Sequence, residues 1–529
     1  MTKRPLGAQI SHMLKDREVD VIFGIPGVHN QEMYRGIEEA GITHILARHE
    51  QGAGFMADGY ARASGKPGVA YVITGPGLCN IMTPMGQAYS DSVPMLVVSS
   101  CLDEVAARKG QLHQMKDQRA AAETVCDWSE EARTAEAAYV LIDRALAEFE
   151  MQRPRPKHIQ VPIALLQSDA APARPKDHNR SLISAEHAQT TDLSPILAAA
   201  RRPVFVFGGG AAQERSAELA TTLCGRFGAA AFTTYAGRGV VSPEYPLLFG
   251  SYLANPGSVD MLARADVVVA IGTTLAEVDI WRPHLGHACA FYRVDIDPEV
   301  LRDGHVADDA ILSDSFTFMD TLLSAQPQTS ISDWTTDEIA QARARWRSEA
   351  DADRPGIVPI CDALRDCLPK NTMIYSDMTQ FAYVAKEVWD MDRPGHWHHP
   401  FGFGTLGYAT PAAIGGAVAR RGQPTLAIIG DYGFHYTMQE LGVAVELGLS
   451  LPIILWDNGK LKEIEDSMVR AQIAPNAVVA RNPDFCKLAE AFGARAVAPK
   501  SLTEMQSEVV AAFQADGPTL IYLTPAVSE

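Results

Sequence analysis

The stretch of residues 430–459, GDYGFHYTMQELGVAVELGLSLPIILWDNG, limits the fold of this chain more than any other stretch. A short apolar run, residues 425–429, comes just before this stretch, and a second one, residues 451–456, lies near its end. Both have the length of buried strands. Between them, apolar residues recur at helical spacing, and Gly448 suits the end of a helix. A strand–helix–strand unit of this length predicts two parallel strands joined by a right-handed crossover.

Asp431 and Asn458 directly follow the two predicted strands. The carboxyl ends of parallel strands meet at one edge of a sheet, and open α/β sheets bind ligands at that edge. A carboxylate and an amide oxygen suit Mg²⁺, whose octahedron is commonly completed by phosphate oxygens. The pair therefore predicts a Mg²⁺-bridged phosphate site, although Gly-Asp and Asn-Gly are each also ordinary turn signals.

The rest of the chain alternates predicted strands with predicted helices, which indicates parallel, doubly wound sheets. Two stretches, residues 170–179 and 324–336, are rich in Pro and Ala or in polar residues and are interpreted as linkers. The sequence therefore predicts an α/β protein of three doubly wound domains, with boundaries at 1–170, 185–325 and 355–529.

Composition narrows the class of protein. A length of 529 residues with 47% hydrophobic and 21% charged residues is ordinary for a multidomain globular protein. A net charge of −18 argues against nucleic-acid binding through phosphates. No apolar run reaches the roughly 18 residues of a membrane span, the first residues lack a signal peptide's apolar segment, and the 8 cysteines form no CxxC pair. A cytoplasmic protein without membrane or nucleic-acid partners is expected.

Glu50 stands between a predicted strand, residues 43–47, and a predicted helix, residues 51–63, that is rich in small residues suited to close packing. A single glutamate at such a position is commonly a partner of the helix dipole or a surface charge. Its surroundings favour another interpretation, because HEQGAGFMADGYARASGKPG is followed by TGPG.

These segments, together with GD and the Asn after the next strand, resemble thiamine diphosphate enzymes of the acetolactate synthase and 2-oxo acid decarboxylase group. The resemblance covers essentially the whole chain. It implies a pyrimidine-binding domain, a middle domain and a diphosphate-binding domain, with thiamine diphosphate and Mg²⁺ as cofactors. In this family the cofactor lies between the first domain of one chain and the third domain of another. At least a homodimer is therefore implied, and a homotetramer is expected.

The resemblance also implies residue roles. Glu50 would hydrogen-bond the pyrimidine ring and help to remove the thiazolium C2 proton, as general acid/base groups do. Leu406 would wedge the cofactor into its bent shape. Asp431, Asn458 and the backbone carbonyl of Lys460 would bind the metal. The remaining positions implied as cofactor contacts are Pro26, Gly27, Thr74, Asn80, Thr379, Gln380, Gly404, Thr405, Gly430, Tyr432, Gly433 and Leu461.

The substrate side departs from the family pattern. His113 followed by Gln114 stands where relatives carry either two histidines or Phe-Gln, and both residues are predicted to be catalytic, with His113 as a candidate proton shuttle. Val28 and His29 are candidate substrate contacts. The turn after Asn458 reads Gly-Lys-Leu rather than the usual family sequence, which leaves the substrate pocket open to more than one interpretation.

The chemistry implied is decarboxylation of a 2-oxo acid to an aldehyde. Several segments most resemble 5-guanidino-2-oxopentanoate (2-ketoarginine) decarboxylases, and Glu463 is a candidate carboxylate for the guanidinium. Lys460 and Lys462 argue instead for a dianionic substrate. An acetolactate synthase-like carboligase and a cofactor-binding protein with little turnover remain alternatives. FAD is not expected, and a dehydrogenase is disfavoured, because FGGGAAQ in the middle domain is not GxGxxG.

Overall fold

A computed structural model of the chain describes residues 3–175, 188–325 and 329–528. Within them the chain forms three parallel sheets of 6 strands each, together with one 2-stranded antiparallel ribbon. Both faces of the sheets are covered. In the first sheet, for example, Val69 and Tyr71 face one buried cluster while Ala70 and Val72 face another. The predicted α/β fold with three doubly wound sheets is confirmed.

The first domain builds its sheet in the order Thr43–Leu46, Val21–Gly24, Gly68–Val72, Met95–Cys101, Lys157–Pro162 and Trp128–Glu131. Its helices are Leu6–Asp16, Gln31–Glu39, Glu50–Ser64, Pro76–Asp91, Gln118–Glu123, Ala135–Met151 and Ile163–Gln167. Arg4–Pro5 pairs with Asp169–Ala170, so the two ends of the domain are tied together.

The middle domain orders its strands as Leu248–Gly250, Ala230–Thr233, Pro203–Phe207, Val267–Ile271, Ala290–Asp295 and Asp309–Leu312. Its α-helices are Ala188–Ala199, Ala217–Phe227, Ser258–Leu262, Glu277–Ile280 and Ser315–Ala325, with 3₁₀ turns at Gly209–Ala211, Glu214–Ser216 and Val300–Arg302. The helix Thr336–Asp353, which begins with a capping box at Thr335, connects this domain to the third.

The third domain orders its strands as Trp397–His398, Met373–Ser376, Thr425–Gly430, Pro452–Trp456, Thr519–Leu523 and Arg495–Val497. Its α-helices are Ile357–Cys367, Gln380–Val388, Ala409–Ala419, Asp431–Thr437, Leu441–Glu446, Lys462–Arg470, Phe485–Ala491 and Leu502–Ala512, with 3₁₀ turns at Met438–Glu440 and Pro525–Ser528. Thr425–Gly430 pairs in parallel with Pro452–Trp456, which confirms the predicted crossover.

Gly430-Asp431 does not form the turn that its sequence signals, whereas the chain does bend at Gly459. Gly430 ends its strand with an extended backbone, and Asp431 begins a helix at once. The carboxylate therefore lies in the first turn of a helix, where the helix dipole favours negative charge. Gly459 has a φ of +73°, and Gly448 has a φ of +58° after its helix, as a left-handed C-terminal residue does.

The two predicted linkers agree in part with the structure. Ala170 belongs to the antiparallel ribbon rather than to a linker, and residues 176–179 lie outside the described part of the chain. The second predicted linker, residues 324–336, overlaps a helix at each end. Ser324 belongs to the helix Ser315–Ala325, and Thr336 begins the helix Thr336–Asp353. The polar composition of the stretch hid the fact that its end residues are compatible with helices. Residues 326–328 also lie outside the described part. The three domain boundaries stay a prediction.

The first and third domains pack against each other through helices Glu50–Ser64 and Ala409–Ala419. A Cβ on Gly59 would lie 1.9 Å from the Ala412 carbonyl oxygen, and one on Gly415 would lie 1.9 Å from that of Met56. Glycine at these two points lets the helix backbones touch, as the small residues of the first helix predict. The contact is also polar, because the Tyr408 hydroxyl donates to Asp58 at 2.7 Å.

Two further observations concern membrane-spanning helices and disulfide bonds. Among the described residues, the structure contains no helix with the length and apolar character needed to cross a bilayer. The 8 cysteines all lie within the described ranges, and each is a free thiol.

Candidate active site

A cavity of about 220 Å³ opens at the carboxyl edge of the third sheet, between the strands that end at Gly430 and Trp456. It brings together almost every residue that the sequence predicted in this domain, with Thr405 alone of those predictions absent from its lining. The predicted residues that line it are Thr379, Gln380, Gly404, Leu406, Gly430, Asp431, Tyr432, Gly433, Asn458, Lys460, Leu461 and Glu463. The crossover therefore delivers both candidate metal-binding side chains, Asp431 and Asn458, to one cavity.

Asp431 is a buried carboxylate that faces a second carboxylate, Asp457. Asn482 lies between them, and its Nδ2 donates to Asp431 Oδ2 at 2.8 Å and to Asp457 Oδ1 at 3.0 Å. Burial and the neighbouring Asp457 raise the pKa of Asp431 to about 6. A set of hard oxygens short of positive charge fits a divalent cation such as Mg²⁺. Asn482 is distant in sequence from both aspartates, and no local sequence pattern predicted its contact with them.

Asn458 continues this polar edge toward the far end of the cavity. Its Nδ2 lies 3.4 Å from Gln380 Oε1, and its Oδ1 accepts from the backbone amide of Lys460 at 3.3 Å. Gln380 in turn donates from Nε2 to Glu463 Oε2 at 3.3 Å. A chain of hydrogen bonds thus joins the candidate metal ligand to the candidate substrate residue.

Asp377 supports the glycine loop on the opposite wall. It is fully buried, and its Oδ2 accepts from the backbone amide of Gly407 at 2.9 Å. A Cβ on Gly433 would lie 2.9 Å from the same oxygen, so the first helical turn after Asp431 packs directly on this carboxylate. Burial raises the pKa of Asp377 to about 7. Nothing in the local sequence indicates this supporting role of Asp377.

Glu463 does not stand free at the end of the cavity. Arg354 forms a two-pronged ion pair with it, with Nη2 3.0 Å from Oε1 and Nε 3.2 Å from Oε2. Arg354 follows the connecting helix, 109 residues before Glu463, and sequence reasoning missed it because no spacing rule links the two.

The lysines that argued against a cationic substrate are neutralised locally. Lys460 Nζ pairs with Glu465 at 2.9 Å, and Lys462 pairs with Asp466. The helix begins only at Lys462, so Lys460 lies in the loop before it and is not on a helix face shared with Glu463. Repulsion of a cation by these lysines is therefore weaker than their sequence suggests.

The corresponding edge of the first domain carries Glu50. This carboxylate is 8% exposed, begins the helix Glu50–Ser64, and accepts a hydrogen bond from Asn80 Nδ2 at 2.9 Å. Thr74 is engaged with its own sheet, because its hydroxyl lies 2.7 Å from Ser100 Oγ. The Gly27 amide donates to Asn30 Oδ1 at 2.7 Å, which holds the loop that starts at Pro26.

His29 and His113 meet above this edge. Their ring centroids lie 4.9 Å apart in an edge-to-face arrangement, and the Nδ1 atom of each ring is buried without a hydrogen-bond partner among the described residues. Burial and the neighbouring His113 lower the pKa of His29. His113 has a φ of +63°, a left-handed conformation that non-glycine residues adopt at a cost and that clusters at functional sites.

Gln114 and Val28 behave differently from the two histidines. The Gln114 side chain donates to the backbone carbonyls of Arg108 at 2.7 Å and Val105 at 3.1 Å, so it closes its own loop. Val28 is 61% exposed. Within this chain, the predicted first-domain residues are absent from the described lining of the Asp431 cavity, which third-domain residues form.

Glu440 is a further residue that sequence reasoning missed. It is fully buried, and its carboxylate accepts from the backbone amide of Arg48 at 3.0 Å, two residues before Glu50. A Cβ on Gly52 would lie 2.3 Å from Glu440 Oε1. A residue of the third domain therefore holds the backbone that presents Glu50.

The fold is that of enzymes that use thiamine pyrophosphate, another name for thiamine diphosphate. Family models for these enzymes match the N-terminal TPP binding domain at residues 4–121, the central domain at 191–322 and the C-terminal TPP binding domain at 377–523. The chain belongs to the thiamine pyrophosphate enzyme family.

Curated relatives match the chain along almost its full length. A probable 2-ketoarginine decarboxylase of Pseudomonas aeruginosa is 41% identical over 98% of this chain and 94% of its own. The large subunit of acetolactate synthase isozyme 2 of Escherichia coli is 27% identical over 98% and 95%. The mitochondrial acetolactate synthase catalytic subunit of Saccharomyces cerevisiae is 26% identical over 97% and 80%.

Proposed function

We propose that this enzyme binds thiamine diphosphate through Mg²⁺ at the edge of the third sheet. The Asp431 carboxylate, the Asn458 side-chain oxygen and the Lys460 backbone carbonyl would hold the metal. The buried pair of Asp431 and Asp457, bridged by an uncharged Asn482, supports this assignment because it lacks a cation among the described residues. Thr379, Gln380 and the amides around Gly430 would approach the diphosphate.

We propose that a second copy of the chain completes the site. Glu50 and Asn80 would meet the pyrimidine ring, with Gly404 and Leu406 contributed by the partner's third domain. The absence of first-domain residues from the described lining of the Asp431 cavity supports this arrangement. A homodimer is then the minimal active unit, and a homotetramer is expected. Light scattering of the purified enzyme tests the assembly.

Thiamine diphosphate, when bound, supplies a carbanion equivalent that adds to the ketone of a 2-oxo acid and accepts the electrons left by departing CO₂. The residues of this chain would orient the substrate and manage protons. Glu50 would hold a proton at the pyrimidine ring. His113, beside His29, would carry a proton at the substrate face, and the left-handed backbone at His113 supports a functional constraint there.

We infer that the substrate is a 2-oxo acid with a terminal cation, with 5-guanidino-2-oxopentanoate as the leading candidate. The observation that carries this proposal is the position of Glu463. It lines the same cavity as Asp431 and already binds a guanidinium, that of Arg354, with two hydrogen bonds. The name of the 41% identical relative, a probable 2-ketoarginine decarboxylase, points to the same substrate.

The test measures CO₂ release and product identity for the enzyme loaded with thiamine diphosphate and Mg²⁺. The panel contains 5-guanidino-2-oxopentanoate, pyruvate, 2-oxobutanoate and a dicarboxylic 2-oxo acid. Preference for the guanidino acid with release of the matching aldehyde supports the proposal. Formation of acetolactate from pyruvate would identify a carboligase, and cofactor binding without CO₂ release from any acid would identify a binding protein.

A further inference from the structure

Arg354 and Glu463 form a pair that lies on a wall between two cavities. Glu463 lines both the cavity of Asp431, of about 220 Å³, and a neighbouring one of about 440 Å³. Arg354 lines only the second. Asn458 and Lys460 line both cavities as well, so the guanidinium of Arg354 reaches Glu463 from a cavity that borders the candidate metal site.

The carboxylate of Glu463 has most of its acceptor positions filled. An ionised carboxylate offers about four lone-pair positions. Arg354 takes two and Gln380 takes a third, at 3.3 Å. Burial opposes the ionised form, yet the Arg354 contact holds the pKa of Glu463 below its usual value. A second guanidinium cannot form a two-pronged pair with Glu463 while Arg354 keeps its own.

The Arg354 side chain can leave Glu463 and still keep favourable contacts. Its Nη1 already donates to Asp353 at 2.5 Å, and its guanidinium carbon lies 5.8 Å from the ring centre of Tyr383. The larger cavity on its side offers room for the side chain to withdraw. Leaving Glu463 therefore keeps one carboxylate partner for Arg354 and does not strand a buried charge.

We propose that Arg354 is a specificity-determining residue that occupies Glu463 until the terminal cation of a substrate displaces it. The proposal rests on the proposed function, since it assumes that the substrate lies in the Asp431 cavity. A cation of the right length would exchange with Arg354 at Glu463, whereas an uncharged or anionic end would leave the pair closed. Glu463 connects through Gln380 to Asn458, so the exchange takes place beside the candidate metal ligands.

The experiment measures binding by calorimetry to the enzyme loaded with thiamine diphosphate and Mg²⁺. The two ligands are 5-guanidinopentanoate and the uncharged 5-ureidopentanoate, which match in shape and lack the reactive ketone. The variants are Arg354→Gln, Arg354→Lys and Glu463→Gln. Arg470→Gln is the matched control, because Arg470 lies 3.8 Å from the same carboxylate but is largely exposed.

Arg354→Gln is expected to improve the preference for the guanidino ligand over the ureido ligand on the order of tenfold or more, because the internal competitor is gone. Arg354→Lys keeps a charge but loses the fork, so an intermediate gain is expected. Glu463→Gln is expected to abolish the preference, and Arg470→Gln is expected to change it by less than about twofold.

An unchanged or reduced preference in Arg354→Gln would overturn the proposal, as would a parallel change for both ligands, which indicates a purely structural role. Thermal midpoints of each variant show whether folding is affected. The result separates from the proposed function, because binding is measured without turnover. A shifted preference without decarboxylation of the guanidino acid would refute the proposed activity alone.

Discussion

The two sheet edges that carry the predicted cofactor residues differ in how complete they are within one chain. At the third-domain edge, Asp431, Asp457 and Asn482 form a connected cluster inside a cavity. At the first-domain edge, Glu50 accepts a single side-chain hydrogen bond from the described residues, that of Asn80. One edge concentrates hard oxygens inside a cavity, whereas at the other Glu50 is the predicted cofactor contact and Glu440 binds the backbone behind it.

This difference indicates that the two edges have different functions, one in binding the cofactor and the other in its proton chemistry. A cluster of buried oxygens suits a cation and the phosphates that it neutralises. A single buried carboxylate with acceptor capacity to spare suits one specific hydrogen bond to a ligand. If this division is correct, changes at the third-domain edge should remove binding, while changes at the first-domain edge should remove chemistry and spare binding.

The largest effect is expected for Asp431→Ala. Without this carboxylate, Mg²⁺ loses its anionic ligand, and thiamine diphosphate should no longer be retained at concentrations that saturate the wild type. Calorimetric titration with the cofactor and Mg²⁺ measures the loss. Asp484→Ala is the control, since it removes an exposed carboxylate from the same domain, at a helix N-terminus. Cofactor affinity that is equal in both variants would contradict the assignment of the metal site.

The next effect is expected for Glu50→Gln, which should keep cofactor binding but slow exchange of the cofactor C2 proton by about 10²–10⁴. Exchange is followed by NMR after dilution into D₂O. Asn80→Ala leaves the carboxylate and removes its amide partner, so a smaller decrease is expected. C2 proton exchange at the wild-type rate in Glu50→Gln would show that Glu50 has only a structural role. The proposed division into a binding edge and a catalytic edge would then be wrong.

The sequence predicted the strands and helices at both edges better than it predicted which side chains contact each other there. Strand ends such as those at Gly430 and Trp456 follow from local apolar runs, and the crossover brings Asp431 and Asn458 together by general rules of α/β topology. Asn482 and Arg354 could not be predicted, because their contacts depend on how distant segments fold back. Gln114 was predicted to be catalytic, and its position in the sequence could not show that its side chain bonds its own loop.

A third effect concerns the contact that joins the two domains. Gly59→Ala places a methyl group against the backbone of Ala412, where the helices have no room, and should destabilise the protein by about 1–3 kcal/mol. Gly225→Ala is the matched control, because Gly225 is also helical and has open space around it. Gly225→Ala should be neutral or slightly stabilising. Thermal midpoints that fall equally in both variants would show that the close helix contact is not the cause.

The smallest effect is expected at Glu440, where the third domain contacts the segment just before Glu50. Burial raises the pKa of this carboxylate from its ordinary value of 4.5 to about 7. Because the folded value is the higher one, its contribution to stability is full below pH 4.5 and is lost as the pH rises through about 7. The thermal midpoint of Glu440→Gln minus that of the wild type should therefore increase from pH 5 to pH 8, by an amount equivalent to at most about 3 kcal/mol. Glu446→Gln, which changes an exposed partner of Arg48, should show a flat difference. A flat or falling difference for Glu440→Gln would mean that the folded protein already holds this carboxylate ionised.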